Sequence, residues 1–273
     1  MHLVLLSIVI LGGVGLLCGI ALAIASRLFA VNVDPRIEAL EKILPKGQCG
    51  GCGFPSCHAY AQNMLENGTE PNRCVLGSDI VDEISKILGK EVATVEKKVA
   101  VIQCYGGSTA VKKYEYGGIS SCRVASLYSG GDTVCTYSCL GFGDCVEVCP
   151  FGALSISGRE VPLVNLEECT GCGKCTTVCP NNLIALIPRK AMIYIGCNSK
   201  EKGKVVRKIC EVGCIKCGRC VKICPEDALS MQDNQINIDY TKCTNCGLCI
   251  EECPRHIIKD VNPRQKDSRV ISQ

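Results

Sequence analysis

Closely spaced cysteines constrain this chain more than any other sequence feature. The pattern Cys-x2-Cys-x2-Cys-x3-Cys-Pro occurs three times, beginning at Cys169, Cys214 and Cys243. Cysteines so close in sequence are poorly placed to cross-link with one another, but they can converge on one inorganic core. The chain has 25 cysteines, four Phe and no Trp, so we expect small units organised around metal in a reducing compartment. A large aromatic core and a secreted disulfide framework are both disfavoured.

The repeated run is the bacterial ferredoxin pattern. In a two-cluster module of this kind, the first three cysteines of a run bind one 4Fe-4S cluster and the fourth crosses to the neighbouring cluster. For the last two runs this rule predicts one ligand set of Cys214, Cys217, Cys220 and Cys253, and another of Cys224, Cys243, Cys246 and Cys249. Segments 153–168 and 228–242 separate the paired runs and predict short hairpins, with turns near Ser157-Gly158 and Asp233-Asn234.

The upstream module contains one irregular run. The same rule predicts a set of Cys149, Cys169, Cys172 and Cys175, and a set of Cys135, Cys139, Cys145 and Cys179. The run Cys135-x3-Cys139-x5-Cys145-x3-Cys149-Pro150 departs from the usual spacing at its first two intervals. A widened loop changes the solvent access and the N–H donors of the sulfurs, so a shifted potential is expected. A structural zinc or a lost cluster is the alternative.

The first cysteine unit has its own spacing, Cys49-x2-Cys52-x4-Cys57-x16-Cys74, among several glycines. Four thiolates suit one cubane cluster, and small neighbours let backbone N–H groups approach the sulfurs. A closed zinc site is the alternative for this unit. A helix is predicted from Pro55 to about Glu66.

The sequence thus predicts five 4Fe-4S clusters, held by 20 of the 25 cysteines. The cysteines outside these sets are Cys18, Cys104, Cys122, Cys197 and Cys210. Cys18 is interpreted as an apolar filler, and Cys104 and Cys122 as buried thiols without a role. Cys210 is an alternative to Cys214, although the regular spacing favours Cys214.

The N-terminal segment predicts one membrane helix. Leu3 to Ala25 is a run of 23 residues without a charge, which spans about 34 Å as a helix. A cleaved signal peptide is the alternative, because Ala21-Leu22-Ala23 is similar to a cleavage site. Arg27 follows the apolar run and no Lys or Arg precedes it. The positive-inside rule therefore predicts a single-pass protein of the cell membrane with its later domains in the cytoplasm.

The predicted fold class is α+β, with an N-terminal transmembrane helix, a four-cysteine iron-sulfur domain and two tandem two-cluster ferredoxin-like modules. The predicted boundaries are 1–26 for the anchor, 27–90 for the four-cysteine domain with its connector helices, 91–134 for a linker region, 135–190 for the first module, and 191–273 for the second module with a C-terminal tail. Asp34 and Ser78 are predicted to cap helices, and Val99 to Ile102 to form a strand.

Composition and motifs also exclude some functions. The net charge is +3 and aromatic residues make up 4% of the chain, which disfavours a nucleic-acid partner. The sequence contains no G-x-G-x-x-G fingerprint and no recognisable catalytic triad or flavin site. These observations favour an electron relay without a catalytic site of its own.

The ordered combination of membrane helix, first cysteine unit, variant run Cys139-Leu-Gly-Phe-Gly-Asp-Cys145 and second ferredoxin module resembles the B subunit of the Rnf complex. The resemblance extends from the anchor to about Pro254. It implies a subunit of an ion-translocating ferredoxin:NAD+ oxidoreductase that accepts electrons from reduced ferredoxin. Membrane and peripheral partner subunits would carry the flavins and the NAD site, and they would determine whether sodium ions or protons are translocated.

A basic cluster precedes and enters the last module. It comprises Lys200, Lys202, Lys204, Arg207 and Lys208, followed by Lys216, Arg219 and Lys222. Such a patch would steer an acidic ferredoxin, whereas a solvated basic loop is the plainer interpretation. Two other functions remain open from sequence: an electron-wire subunit of another membrane oxidoreductase, such as a hydrogenase, and a zinc-stapled membrane scaffold.

Overall fold

The computed structural model describes residues 2–28, 34–76, 80–89 and 96–261. The first helix, α1, runs from His2 to Leu28. Its segment Ile10–Leu28 is apolar and long enough to cross a membrane, and none of it is covered by the rest of the chain. It is the one such helix in the described ranges. The predicted apolar N-terminal helix is therefore present.

Three helices form the unit after α1. They are α2 (Pro35–Ile43), α3 (Cys57–Glu66) and α4 (Val81–Leu88). The carboxylate of Asp34 accepts the backbone N–H of Arg36 at 2.9 Å, which confirms the predicted cap of α2. Leu40, Tyr60 and Ile84 bring the three helices together in one buried cluster. The predicted cap Ser78 lies outside the described residues.

The strands of the described residues pair in four two-stranded antiparallel sheets. The strands are β1 (Lys98–Ile102), β2 (Leu154–Ile156), β3 (Pro162–Val164), β4 (Ile184–Pro188), β5 (Ile193–Ile195), β6 (Leu229–Gln232), β7 (Gln235–Ile238) and β8 (Ile258–Asp260). β2 pairs with β3 and β6 with β7, so both predicted hairpins are confirmed. β1 pairs with β4, and β5 with β8.

Six short α-helices and two 3-10 helices, Pro71–Arg73 and Gly107–Thr109, complete the described fold. The α-helices are α5 (Cys122–Leu127), α6 (Asp144–Glu147), α7 (Lys174–Val178), α8 (Gly203–Ile209), α9 (Arg219–Ile223) and α10 (Leu248–Glu251). The order α6-β2-β3-α7-β4 recurs as α9-β6-β7-α10-β8. We call these the first repeat (residues 144–188) and the second repeat (residues 219–260). The duplication seen in the sequence thus appears as a duplicated order of elements.

The stretch assigned to a linker, 91–134, differs from that expectation from residue 98 onward. Strand β1 is buried from Val99 to Ile102 and pairs residue by residue with β4 of the first repeat. Further along, Cys104 faces Cys197 across an isolated antiparallel bridge. These partners are distant in sequence, so local composition gave no sign that residues 98–134 pack against both repeats.

Candidate iron-sulfur sites

The same local backbone presents the third cysteine of all four Cys-Pro runs. In each run a short helix begins after a glycine in the left-handed conformation, and the cysteine is the second helical residue. These glycines are Gly143, Gly173, Gly218 and Gly247, and the cysteines are Cys145, Cys175, Cys220 and Cys249. A positive φ is easy for glycine and strained for residues with a Cβ. The glycine therefore allows the chain to turn and aim the cysteine inward.

The three regular runs share a second left-handed residue directly before the second cysteine. It is Gly171, Lys216 or Asn245, with φ of 70°, 57° and 60°. Two left-handed residues around one cysteine coil the run tightly, so its first three thiols face one centre. At Gly171 a side chain is also excluded, because a Cβ there would collide with the backbone carbonyl of Lys98.

Two sites are built from the second repeat and the residues directly before it, and each contains the cysteines that the crossing rule groups together. Site E is a cavity of about 390 Å³ with Cys214, Cys217, Cys220 and Cys253 in its lining. Site F contains Cys224, Cys243, Cys246 and Cys249, whose thiols are close enough to interact electrostatically at Cys249. Cys217 and Cys246 are exposed, so both sites approach the surface.

Two further sites are built around the first repeat, one of them with cysteines that precede it. At site B, Cys149, Cys169 and Cys172 surround Cys175. Site C is a cavity of about 440 Å³ that is lined by Cys122, Cys139, Cys145 and Cys179. Three of these four belong to the predicted set, but the fourth position is occupied by Cys122 and not by Cys135. Sequence spacing had assigned no role to Cys122.

Asp144 explains how Cys122 reaches site C. One oxygen of its carboxylate accepts the backbone N–H of Cys122 at 2.7 Å. The other accepts the N–H of Arg123 at 3.1 Å and the hydroxyl of Ser121 at 3.0 Å. Burial opposes ionisation, but these hydrogen bonds hold the pKa of Asp144 below its usual value. Asp144 thereby fixes the start of α5 beside Cys145.

Cys135 lies in a different cavity, which we call site D. This cavity of about 350 Å³ is lined by Cys104, Cys135, Cys197 and Cys210. The grouping of Cys135 with Cys139, Cys145 and Cys179 therefore differs from the structure. The long x3 and x5 intervals of the variant run have a physical reason, because they allow Cys135 to lie in a different cavity from Cys139 and Cys145.

Site A belongs to the helical unit near α1. Cys49, Cys52 and Cys57 surround Cys74, and Cys57 is the first residue of α3. The hydroxyl of Tyr60 donates to the carbonyl of Glu70 at 2.9 Å and accepts the N–H of Arg73 at 3.1 Å. Tyr60 thus ties the segment before Cys74 to α3. The helix predicted from Pro55 begins two residues later, after the cap Ser56.

The residues present fit 4Fe-4S clusters better than single metal ions. All 25 cysteines are free thiols. Within the described ranges, no group of three or more His, Cys, Asp or Glu side chains could hold one metal ion. Four cysteines in the lining of one cavity, as at sites C and E, suit a four-iron core, which is wider than one zinc ion.

Hydrogen bonding around the sulfurs supports the same conclusion. Backbone N–H groups of Ala100, Leu183 and Ala228 donate to the thiol sulfurs of Cys169, Cys179 and Cys224 at 3.3–3.4 Å. Such donors stabilise the negative charge of a ligated cluster and tune its potential. The hydroxyl of Thr170, beside Cys169, is buried and has no partner among the described residues.

Burial keeps these thiols protonated until a metal binds. It raises the pKa of Cys175, Cys220 and Cys249 to about 11, and that of Cys145 to about 12. Neighbouring thiolates add to the shift at each of these positions. Ligation by iron would remove the protons, so cluster binding would be coupled to proton release.

The sites follow one another in a series. Gly51 of site A lies against Cys172 of site B, and Cys175 of site B lies near Cys145 of site C. The backbone N–H of Cys139, at site C, donates to the thiol of Cys104, at site D, at 3.3 Å. Ile257 lines both site D and site E. Sites E and F are joined through the contact between α9 and α10.

Comparisons with known proteins agree with this geometry. A 4Fe-4S dicluster domain model matches residues 135–183 and 213–257, and another matches residues 168–229. A model described as a putative Fe-S cluster matches residues 44–76. The fold and the sites thus define an iron-sulfur electron-transfer protein of the ferredoxin class with an added N-terminal apolar helix.

Curated relatives narrow this class to one family. The chain is 46% identical to the B subunit of the proton-translocating ferredoxin:NAD(+) oxidoreductase complex of Clostridium ljungdahlii, over 88% of this chain and 85% of that protein. It is 39% identical to the Na(+)-translocating counterpart of Acetobacterium woodii, over 89% and 73% respectively. It is also 39% identical to the B subunit of the ion-translocating oxidoreductase complex of Methanosarcina acetivorans, over 76% and 79%. The chain belongs to the family of B subunits of these ion-translocating oxidoreductases, the Rnf complexes, as the resemblance implied.

Proposed function

We propose that this Rnf subunit accepts electrons from reduced ferredoxin at one end and relays them towards the membrane at the other. The series of cysteine sites is the observation that carries the proposal. Site A belongs to the helical unit that follows α1, and sites E and F lie at the opposite end of the series. A relay needs closely spaced centres more than it needs a catalytic pocket.

We assign the cluster ligands from the cysteines that lie together. Sites A, B, E and F would take the sets expected from sequence, supported by neighbouring thiols at A, B and F and by the cavity at E. Site C would take Cys122 with Cys139, Cys145 and Cys179, which line its cavity. Each 4Fe-4S cluster, when bound, accepts and releases one electron without bound substrate or a proton-transfer group. The two repeats then form tandem two-cluster modules, because the fourth cysteine of each regular run crosses to the neighbouring site.

The surface near site E suits an acidic electron donor. We define the basic surface as Lys200, Lys202, Lys204, Arg207 and Lys208, all of which are exposed. Lys216 is half-buried, and its ammonium donates to the carbonyl of Ser199 at 2.6 Å. This contact joins the run of site E to the segment that carries the basic surface. Exposed Cys217 lies directly after Lys216, so a docked ferredoxin would approach site E through positive potential.

Helix α1 anchors the other end of the series. Arg27 in its last turn supports a cytoplasmic position for the sites by the positive-inside rule. Gly15 and Gly19 are exposed on α1 with open space around them, which allows another membrane helix to approach closely. Membership of the Rnf family implies that the flavins and the NAD site would lie on partner subunits, and this sequence contains no nucleotide fingerprint that would place them here.

A substitution at site A tests the direction of the relay. Cys52→Ser in the intact complex should leave the other sites reducible by ferredoxin but abolish NAD+ reduction. Cys18→Ser, in α1 and outside every site, is the control and should keep full turnover. Full turnover of Cys52→Ser would contradict a relay that leaves through site A. Iron-free protein with zinc would instead support the scaffold interpretation.

A further inference from the structure

Four cysteines remain once the five proposed clusters at sites A, B, C, E and F have their ligands. Once Cys122 occupies the fourth position of site C, Cys135 has no place there. It lies at site D with Cys104, Cys197 and Cys210, which sequence spacing left unassigned. With these four grouped, 24 of the 25 cysteines fall into sets of four, and Cys18 of α1 is the one left over.

The backbone around site D is built from both repeats. Cys104 follows β1, which pairs with the first repeat, and Cys197 follows β5, which pairs with the second. The two cysteines face each other across an antiparallel bridge. Cys210 ends α8 and is bridged to Ala110 in the same way. Three cysteines are thus held by strand-like pairing across the junction between the repeats.

Arg255 ties this junction to site E. Its guanidinium donates to the carbonyl of Cys210 at 2.8 Å and to the carbonyl of Gly213 at 3.2 Å. Arg255 follows Cys253-Pro254, the crossing segment of site E. The loop from Cys210 to Cys214 is therefore fixed at both ends, with one thiol directed to site D and the other to site E.

Glycine leaves room for a bound group at site D. A Cβ on Gly106 would lie 3.2 Å from the thiol of Cys210 and 3.8 Å from that of Cys104. The φ of Gly106 is −66°, so its backbone conformation would accept any residue. A side chain at Gly106 would therefore cause no backbone strain, but it would occupy space beside the thiols of Cys104 and Cys210. The cavity also resembles site E in its lining, because each contains four cysteines.

We propose that Cys104, Cys135, Cys197 and Cys210 bind a sixth 4Fe-4S cluster at the junction between the two repeats. This deepens the proposed function and rests on its premise that the chain binds clusters. The thiol of Cys104 already accepts the N–H of Cys139 at 3.3 Å, the kind of donor found at sites B and F. Site D lies between sites C and E, where the series would otherwise be interrupted.

Metal analysis of the full-length chain, purified in detergent without oxygen, tests this proposal. Six clusters require about 24 irons and about 24 acid-labile sulfides per chain, and five require about 20 of each. The double variant Cys104→Ser/Cys197→Ser should lose about four irons and four sulfides relative to wild type. Cys18→Ser is the matched control and should lose none.

A second variant leaves every thiol in place. Gly106→Ile fills the cavity and should lose the same four irons, and the integrated electron-spin signal of the reduced protein should fall by about one sixth. If the double variant does not fold, the iron content of Gly106→Ile and of the wild-type protein tests the proposal. Unchanged iron in both variants overturns the proposal. So does one zinc per chain that disappears with Cys104 and Cys197, or a disulfide between these two cysteines in unreduced protein. Wild-type protein without iron would instead refute the proposed function itself.

Discussion

Gly51 lies against the backbone of Cys172. A Cβ atom at Gly51 would be 3.1 Å from the carbonyl oxygen of Cys172 and 3.3 Å from its Cα. Gly51 stands between two cysteines of site A, and Cys172 is the second cysteine of its run at site B. The helical unit and the first repeat therefore meet backbone to backbone at the point where two sites adjoin.

Enlarging Gly51 should separate these two sites. Gly51→Val forces the carbonyl of Cys172 or the side chain of Val75 to move, and such overpacking costs about 1–3 kcal/mol. We expect slower NAD+ reduction by the complex with unchanged iron content, measured together with thermal unfolding. Gly117→Val is the control, because a Cβ at Gly117 meets nothing within 4 Å. Equal turnover of the two variants would show that this contact does not govern the relay.

Asp144 offers a test of site C that leaves all cysteines intact. Asp144→Ala removes the acceptor of three hydrogen bonds at the start of α5, and bonds to a charged group are worth about 1.5–3 kcal/mol each. Cys122 should then lose its position, so we expect a lower Tm and selective loss of up to about four irons.

A capping aspartate elsewhere provides the comparison for Asp144. Asp34→Ala removes the cap of α2 and should cost about 1 kcal/mol, but it lies outside every cysteine site. We expect it to keep the full iron content. If Asp144→Ala also keeps its iron, Cys122 does not need this carboxylate to reach site C.

Sequence spacing predicted those parts of the sites that are local in the chain. The regular runs fix three cysteines through left-handed residues such as Gly173 and Asn245, so one run determines most of one site. Both hairpins and the cap at Asp34 were also predicted correctly, because their contacts join residues that are close in sequence.

Contacts between distant segments could not be predicted in this way. Cys122 reaches site C through Asp144, and Cys104 meets Cys197 across a bridge between β-strand ends. Neither pairing has a spacing that a single sequence reveals. The irregular spacing after Cys135 indicated that this cluster departs from the ferredoxin pattern, but it did not show that Cys135 lies in another cavity or that Cys122 lies at site C.

Helix α1 should be separable from the cysteine sites. Leu11, Leu17 and Leu22 expose 68–73% of their surface, and burial of such side chains in lipid is strongly favourable. Deleting residues 1–28 should therefore turn a detergent-dependent protein into a water-soluble one with unchanged iron and sulfide. Size-exclusion chromatography without detergent measures the first result and metal analysis the second. Aggregation of the shortened chain, or loss of its iron, would mean that α1 contributes to the folded sites.

Charge reversal on the basic surface should slow electron entry from ferredoxin. Lys202, Lys204 and Arg207 are exposed and form no ion pair within the described residues. Replacing all three by Glu should lower the second-order rate of reduction by ferredoxin roughly tenfold at low ionic strength. The difference should shrink as salt screens the charges, and stopped-flow bleaching of the clusters measures both effects.

Lys42→Glu, on α2 at the opposite end of the series, is the control and should leave the rate unchanged. An unaltered rate in the triple variant at low salt would show that ferredoxin docks elsewhere, because a steered encounter depends on the sign of the charge at the docking surface.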